Sequence, residues 1–447
     1  METLADIAGT HRRHVLTPWA AQAALAPPVI VRGEGSWLIG DDGTRYLDGS
    51  SGLIAVNLGH AHPKLVQAIA DQAGTIAYVS AALFNDRRAE CGARLAGLGP
   101  WGAEGARVYF TTGGAEANED AIKIARTVTG RHKVLSAYRS FHGSSFGAMT
   151  LTGENRRWAN EPGIPGVSRF FAPYPYRSPF HPLDPADETR RALSHLSDVI
   201  LAEDPERVAA LLIEPVVGSN GVIVYPPGYL QGVRELCDRH GIVLIFDEVM
   251  TGFGRIGATF GGERFGVVPD LITFAKGVTS AYVPLGGVIV RERIAAYFDT
   301  NQMWLGHTYS GHPLAMAAAL AAIEAYSEGD LFTSAARREA RLRERLLALH
   351  AKHEILGDVR GLGFFFALEF VKDRASRTPL VAWQGKSLGP MPAFFAGLRR
   401  RGAICFGRYN IVHLAPPLNT SDDDLDTFVA ALDGAIGDLT AAAAARG

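Results

Sequence analysis

Two short apolar runs set the fold class of this chain. The first, VLIFD, ends in Asp247, and the second, LITFAK, ends in Lys276. Neither alternates apolar with polar residues, so each reads as a strand covered on both faces, as in a parallel sheet sandwiched between helices. Open sheets of that kind bind ligands outside the carboxyl ends of their strands, and Asp247 and Lys276 are both delivered to that edge. A lysine there can hold an aldehyde as a Schiff base, while a carboxylate can keep a pyridine nitrogen protonated. The pair suits pyridoxal phosphate, whose ring would act as an electron sink.

Between about Gly52 and Pro313, further apolar runs (ARVYFTT, KVLSAY, VAALLIEPV, GGVIV) alternate with helical segments. This pattern predicts an α/β fold with a mainly parallel sheet covered by helices. Upstream, PVIVRGEGSWLIGDDGTRYLDG alternates around two glycine turns and reads as a small antiparallel meander. From Ala315 onward come two long helical patterns and two strand-like segments, GFFFALEFV and NIVHLA, with helices around them. A chain of 447 residues exceeds one ordinary core. The expected division is an N-terminal segment (1–51) carrying the meander, a large cofactor domain (52–314) and a smaller α+β domain (315–447) that the meander joins. Ser421 followed by three aspartates, Asp422 to Asp424, reads as the capped start of the last helix.

A formal net charge of −2 gives no global field favouring nucleic acid or an anionic membrane. The densest basic stretch, RREARLRERL from Arg337, mixes glutamates with arginines at helical spacing and reads as a solvated helix face. Cys91, Cys237 and Cys405 form no CxxC pair, which excludes a zinc-ribbon pattern and favours a reducing cytoplasm. The N-terminal METLADIAGTHRRHVLTPW has no apolar signal core, and no run of about 18 apolar residues marks a membrane span. A cytoplasmic protein is expected.

The segment TTGGAEANEDAIKIAR places a strand before, and an amphipathic helix after, a turn with two glycines. Backbone N–H groups from Thr111 to Ala115 would point from the positive end of that helix, and Gly113 and Gly114 would let a phosphate approach closely. A second glycine motif, GFGRIG from Gly252 to Gly257, matches the dinucleotide fingerprint only formally. Its first glycine comes five residues after Asp247, and ATFGGERFGVVPD lacks the periodicity of a following helix.

Taken in order, YLDGSSGLIAVNLGHAHP, TTGGAEANE, SFHG, IEPVVGSNGV, FDEVMTGFGRIG, PDLITFAKG, HTYSGHP, VRGLG and APPL span nearly the whole chain. This ordered set resembles the class III aminotransferases of pyridoxal-phosphate fold type I, and its wording is closest to the taurine and ω-amino-acid transaminase branch. The resemblance implies that Lys276 is the Schiff-base lysine and proton shuttle, and that Asp247 pairs with the pyridine nitrogen. Val249 and Phe141 would flank the ring, with His142 beside them. Phe141 stands where many relatives carry tyrosine, so a hydroxyl is missing. Gly113, Gly114 and Ala115 match the phosphate turn, and Glu214 resembles a glutamate near the cofactor ring. Thr308 resembles the threonine that reaches the neighbouring subunit's phosphate, which implies an obligate homodimer with shared active sites.

On the substrate side, the position of the mobile arginine in several ω-transaminases falls at Phe406, which cannot bind an anion. Arg408, two residues on, is the nearest guanidinium able to grip a carboxylate or sulfonate. Trp19 and Ile54 fall where relatives line the pocket. The implied reaction is a ping-pong transfer from an ω-amino acid or amine to pyruvate or 2-oxoglutarate. The same carbanion chemistry would also serve a racemase, epimerase or aminomutase, and a decayed, non-catalytic relative is disfavoured by the retained Lys276 and Asp247.

Overall fold

The computed structural model describes residues 6–445; residues 1–5, Arg446 and Gly447 lie outside the described residues. A seven-stranded sheet forms the large domain. Its strands are β1 (Ala106–Thr111), β2 (Lys133–Ala137), β3 (Val167–Phe170), β4 (Val208–Ile213), β5 (Val243–Asp247), β6 (Leu271–Phe274) and β7 (Gly286–Arg291). They lie in the order β1-β7-β6-β5-β4-β2-β3. All neighbours from β6 across to β3 run parallel. Only β7, the GGVIV run, is antiparallel to both its partners.

Every residue of β4, β5 and β6 is buried, as their unbroken apolar runs require. On one face the helix α1 (Gly114–Thr129) contributes Ala117, Ala121, Ile122, Ile124 and Ala125 to the core. The helices Pro185–Ala202 and Tyr229–His240 cover the opposite face through Leu196, Ile200, Val233 and Leu236. In the β5–β6 register Asp247 faces Thr273, so Lys276 follows three residues beyond the same edge.

The meander over Ile30–Glu34, Trp37–Gly40 and Arg45–Asp48 forms as read, and Ala403–Ile404 adds a parallel strand to it. The N-terminal segment and the C-terminal third thus build the smaller domain together. Its second sheet runs antiparallel through Leu356–Leu362, Phe365–Asp373, Ile411–Leu414 and Phe406–Arg408. The helix Asp422–Ala444 is, among the described residues, the one helix long and apolar enough to cross a membrane by length and composition. Its stripe of Leu425, Phe428, Leu432, Ile436 and Leu439 is buried in the small-domain core.

Two local readings change. The basic run from Arg337 is not simply a solvated face, because Arg338, Arg341 and Arg345 pair with Asp422 and Asp426 of the last helix. Asp422 therefore clasps a neighbouring helix as well as sitting in the capped first turn, where Ser421 Oγ accepts from the Asp424 N–H at 3.1 Å. The helix Pro313–Glu328 packs on Pro63–Thr75 and Asp86–Gly97 of the large domain, and the boundary drawn at 314/315 falls in its first turn.

GFGRIG is a joint between the domains. A Cβ on Gly254 would lie 2.7 Å from the Leu331 carbonyl, and one on Gly257 would lie 2.6 Å from Ala336 Cβ, both on the helix Leu331–Lys352. Both glycines also have positive φ, +85° and +81°, which a side chain would strain. Between them Arg255 is wholly buried. It donates to the Pro416 carbonyl (2.6 Å), Asn57 Oδ1 (2.6 Å), Ser51 Oγ (3.2 Å) and the Phe364 carbonyl (3.2 Å). Burial pulls this guanidinium down to about 10, still charged at neutral pH. Arg255→Ala leaves those acceptors without a donor, so a loss of at least about 3 kcal/mol is expected, read as a lower urea midpoint of unfolding.

Candidate active site

At the carboxyl edge of β5 and β6 lies a cavity of about 380 Å³, and Asp247, Lys276, Phe141, His142 and Glu214 all face it. The structure thus gathers these residues from four separate chain segments into one site. Asp247 is almost fully buried. Its Oδ2 accepts from Asn118 Nδ2 at 2.9 Å and lies 2.8 Å from His142 Nδ1, while the Val249 N–H donates to Oδ1 at 3.1 Å. Asn118 comes from α1, donates also to the His142 carbonyl (2.7 Å) and accepts from Thr273 Oγ1 (2.8 Å). A buried carboxylate needs such partners to remain charged, and a charged Asp247 is what a protonated pyridine nitrogen requires.

Lys276 sits just past β6 with φ at +47°. Its Nζ makes no hydrogen bond to the described residues. Burial pulls the amine down to about 8, against the opposing pull of Asp247 and Glu214, and Arg156 lowers it further. Glu214 accepts from the N–H groups of Gly218 (2.7 Å) and Phe141 (3.1 Å). Burial pushes its carboxyl up to about 7, His142 opposes that shift, and the charge on Asp247 adds to it.

The phosphate turn is narrower than the sequence implied. Thr112 gives both its N–H (2.8 Å) and its hydroxyl (2.7 Å) to Glu116 Oε2, and Thr111 Oγ1 bonds the Gly113 carbonyl at 3.0 Å. That leaves the first amides of α1, those of Gly114 and Ala115, and no side chain caps this helix. A Cβ on Gly113 would meet nothing within 4 Å, whereas one on Gly114 would lie 2.9 Å from both Val249 methyl carbons. An uncapped helix start with open space before it, a neutralisable lysine and a buried carboxylate fit pyridoxal phosphate. Gly114, Ala115 and Gly113 would hold the phosphate, Asp247 the ring nitrogen, Lys276 the aldehyde, and Val249 and Phe141 the ring faces.

Three expected positions fall elsewhere. Arg408 does not line the cavity; its Nη2 bonds Glu154, Asn155 Oδ1 (2.7 Å) and the Tyr409 hydroxyl (3.2 Å). Ile54 is also corrected: with φ at +58° its side chain turns inward among Val216, Val222, Ile256 and Phe365, and its neighbour Ala55 faces the cavity instead. Trp19 stays more than half exposed and touches the site only from outside, edge-on to Phe141 at 6.5 Å. Thr308, expected to serve the neighbouring subunit and not its own, lies on an exposed loop outside its own chain's cavity.

Two residues at the site went unread. Asn118 lies inside the quoted TTGGAEANE motif, four residues after Gly114, where helical spacing could have flagged it. Arg156 had no local signal. Its guanidinium lies 3.5 Å from the centre of the Phe141 ring and 5.7 Å from that of Trp19. It bonds the buried Glu154 and donates to Ser219 Oγ at 3.0 Å. Burial lowers its pKa and the Glu154 charge opposes that; the two arginines, 156 and 408, share the one carboxylate.

The class-III aminotransferase family model matches residues 20–436. A probable aminotransferase of Mycobacterium tuberculosis is 38% identical over 440 residues, covering 95% of this chain and 93% of that protein. Among solved structures, the taurine:2-oxoglutarate aminotransferase of Bifidobacterium kashiwanohense, in complex with PLP and glutamate, superposes with a TM-score of 0.94 at 39% identity over 98% of each chain. An (S)-enantioselective ω-transaminase of Thermomicrobium roseum gives 0.92 at 38% identity over 98% of this chain and 99% of that one. The chain belongs to the class-III aminotransferases, pyridoxal-phosphate enzymes of fold type I.

The lowered lysine has a measurable consequence. Only the neutral amine attacks an aldehyde, so capture of pyridoxal phosphate by the apoprotein is expected to quicken with pH and level off above about 8. Stopped-flow absorbance reads this; a rate still climbing at pH 10 would show an unperturbed amine.

Proposed function

We propose that this aminotransferase takes its amino group from ω-amino acids or amines and passes it to pyruvate or 2-oxoglutarate in two half-reactions. The observation that carries the reading is the pairing of Lys276 and Asp247 at one sheet edge with a guanidinium, Arg156, on the aromatic wall beside them. The similarity to a taurine:2-oxoglutarate aminotransferase and to an ω-transaminase supports the donor class.

Bound pyridoxal phosphate supplies the electron sink that makes a C–H bond next to the donor nitrogen acidic. The protein does the rest. Asp247 keeps the ring nitrogen charged, through a carboxylate that His142 and Asn118 hold in place. Lys276 Nζ would hold the cofactor aldehyde and, as a free amine pulled down to about 8 by burial, would be suited to move a proton between two carbons. Phe141 and Val249, which line the cavity, would flank the ring and hold its orientation. Glu214, anchored on two backbone amides, lines the cavity from a buried position.

Arg156 is the anchor for the donor's far acidic group. Its Nη1 makes no hydrogen bond to the described residues, while Glu154 and Ser219 fix the rest of the fork. The active unit is a homodimer, because Thr308 stands exposed on a face that also shows Tyr309, Trp304 and Phe84, an apolar group suited to cover by a second copy. The three cysteines are buried and unpaired, which suits a reducing cytoplasm.

Arg156→Met is expected to raise KM for taurine, β-alanine or 4-aminobutyrate by roughly 10–100-fold, the worth of a hydrogen bond to a charged group. An arylalkylamine without an acid should be turned over nearly unchanged. Steady-state kinetics on both donor types checks this, and equal losses on both would remove Arg156 from the donor site.

A further inference from the structure

Thr308 is held between fastenings that lead back to its own subunit's phosphate turn. One residue before it, His307 Nε2 lies 2.5 Å from Asp120 Oδ2. Two residues after it, Ser310 Oγ donates to the Phe110 carbonyl at 2.8 Å. Arg88 Nε then donates to the Gly311 carbonyl at 3.0 Å. Asp120 is on α1, six residues after Gly114, and Phe110 is on β1, one residue before Thr111. Those are the helix and the strand that bracket the turn Thr112–Ala115.

The Asp120–His307 contact is built, not incidental. Asp120 is wholly buried and shares its charge between Lys123 Nζ (2.9 Å, on Oδ1) and His307 (on Oδ2). A buried carboxylate oxygen without a partner would be costly, so the ring is held to that oxygen. The Tyr109 ring flanks the imidazole at 6.3 Å. A hydroxyl on an exposed loop becomes a useful phosphate ligand only when the loop's freedom has already been removed. Here it is removed by attachment to β1 and α1.

We infer that His307 and Asp120 are positioning residues for the neighbouring subunit's cofactor phosphate: α1 cups one phosphate with its first turn and, through Asp120 and His307, sets Thr308 for the other. This rests on the reading of Thr308 as the partner-reaching residue.

The test uses mixed dimers carrying two affinity tags, titrated with pyridoxal phosphate while absorbance reports covalently held cofactor. In the first dimer one subunit carries both His307→Phe and Lys276→Ala and the other is unaltered. Its single covalent site then receives Thr308 from the altered subunit, and an approximately tenfold weaker affinity is expected. In the second dimer His307→Phe lies in the subunit that keeps Lys276, and affinity should be unchanged. His307→Gln, which retains a donor for Asp120, should preserve affinity in the first arrangement, which separates loss of the bond from loss of folding. A loss that follows the subunit owning Lys276, or no loss in either dimer, overturns the inference. Thr308→Ala in the first arrangement serves as the reference. If it has no effect, the shared site itself is refuted; if it weakens binding while His307→Phe does not, only the positioning role fails.

Discussion

The site depends on keeping one carboxylate charged inside a core. Asp247 ends a strand with no exposed residue, and a charge there survives only with partners. Those partners dictate where other parts must be. Asn118 fixes α1 against β6 through Thr273, and His142 fixes the loop that carries Phe141. The same helix that steadies Asp247 presents its uncapped start to a phosphate. One electrostatic requirement thereby sets the phosphate turn, the aromatic wall and the ring-nitrogen contact in register.

A second buried charge holds the domains in place. Arg255 gathers acceptors from residues 51, 57, 364 and 416, so the N-terminal segment and the C-terminal domain close on the large domain at one point. The flanking glycines exist because the helix Leu331–Lys352 comes too close for a Cβ. The Glu154–Arg408 ion pair ties the same two domains a second time, since Arg408 belongs to the small domain and Glu154 to the large one.

Much of the large domain was legible because burial on both faces leaves a plain mark: β4, β5 and β6 are unbroken apolar runs, and two of them end in the residues that do the chemistry. The phosphate turn could be read from its glycines, and GFGRIG could be set aside as a dinucleotide site because no long amphipathic helix follows it; only the short helix Gly261–Phe265 does. The substrate wall could not be read. Arg156 lies on the Phe141 ring while Arg408 reaches the same Glu154 from a strand of the other domain, and Arg408 and Glu154 are 254 residues apart. Ile54 failed for a local reason: a left-handed backbone angle at one residue sends its side chain to the core and Ala55 to the cavity. No periodicity encodes such a reversal.

The most direct measurement is a single half-reaction. Cofactor-loaded protein is mixed, without acceptor, with taurine, β-alanine, 4-aminobutyrate, a chiral arylalkylamine, alanine and glutamate in turn, and the visible band of the lysine-bound cofactor is followed. Loss of that band with ω-donors, and its return on adding pyruvate or 2-oxoglutarate, is the result that amino transfer at Lys276 and Asp247 requires. A band that persists with every ω-donor, together with racemisation or amino migration of an α-amino acid, would contradict it and place this site among the racemases or aminomutases.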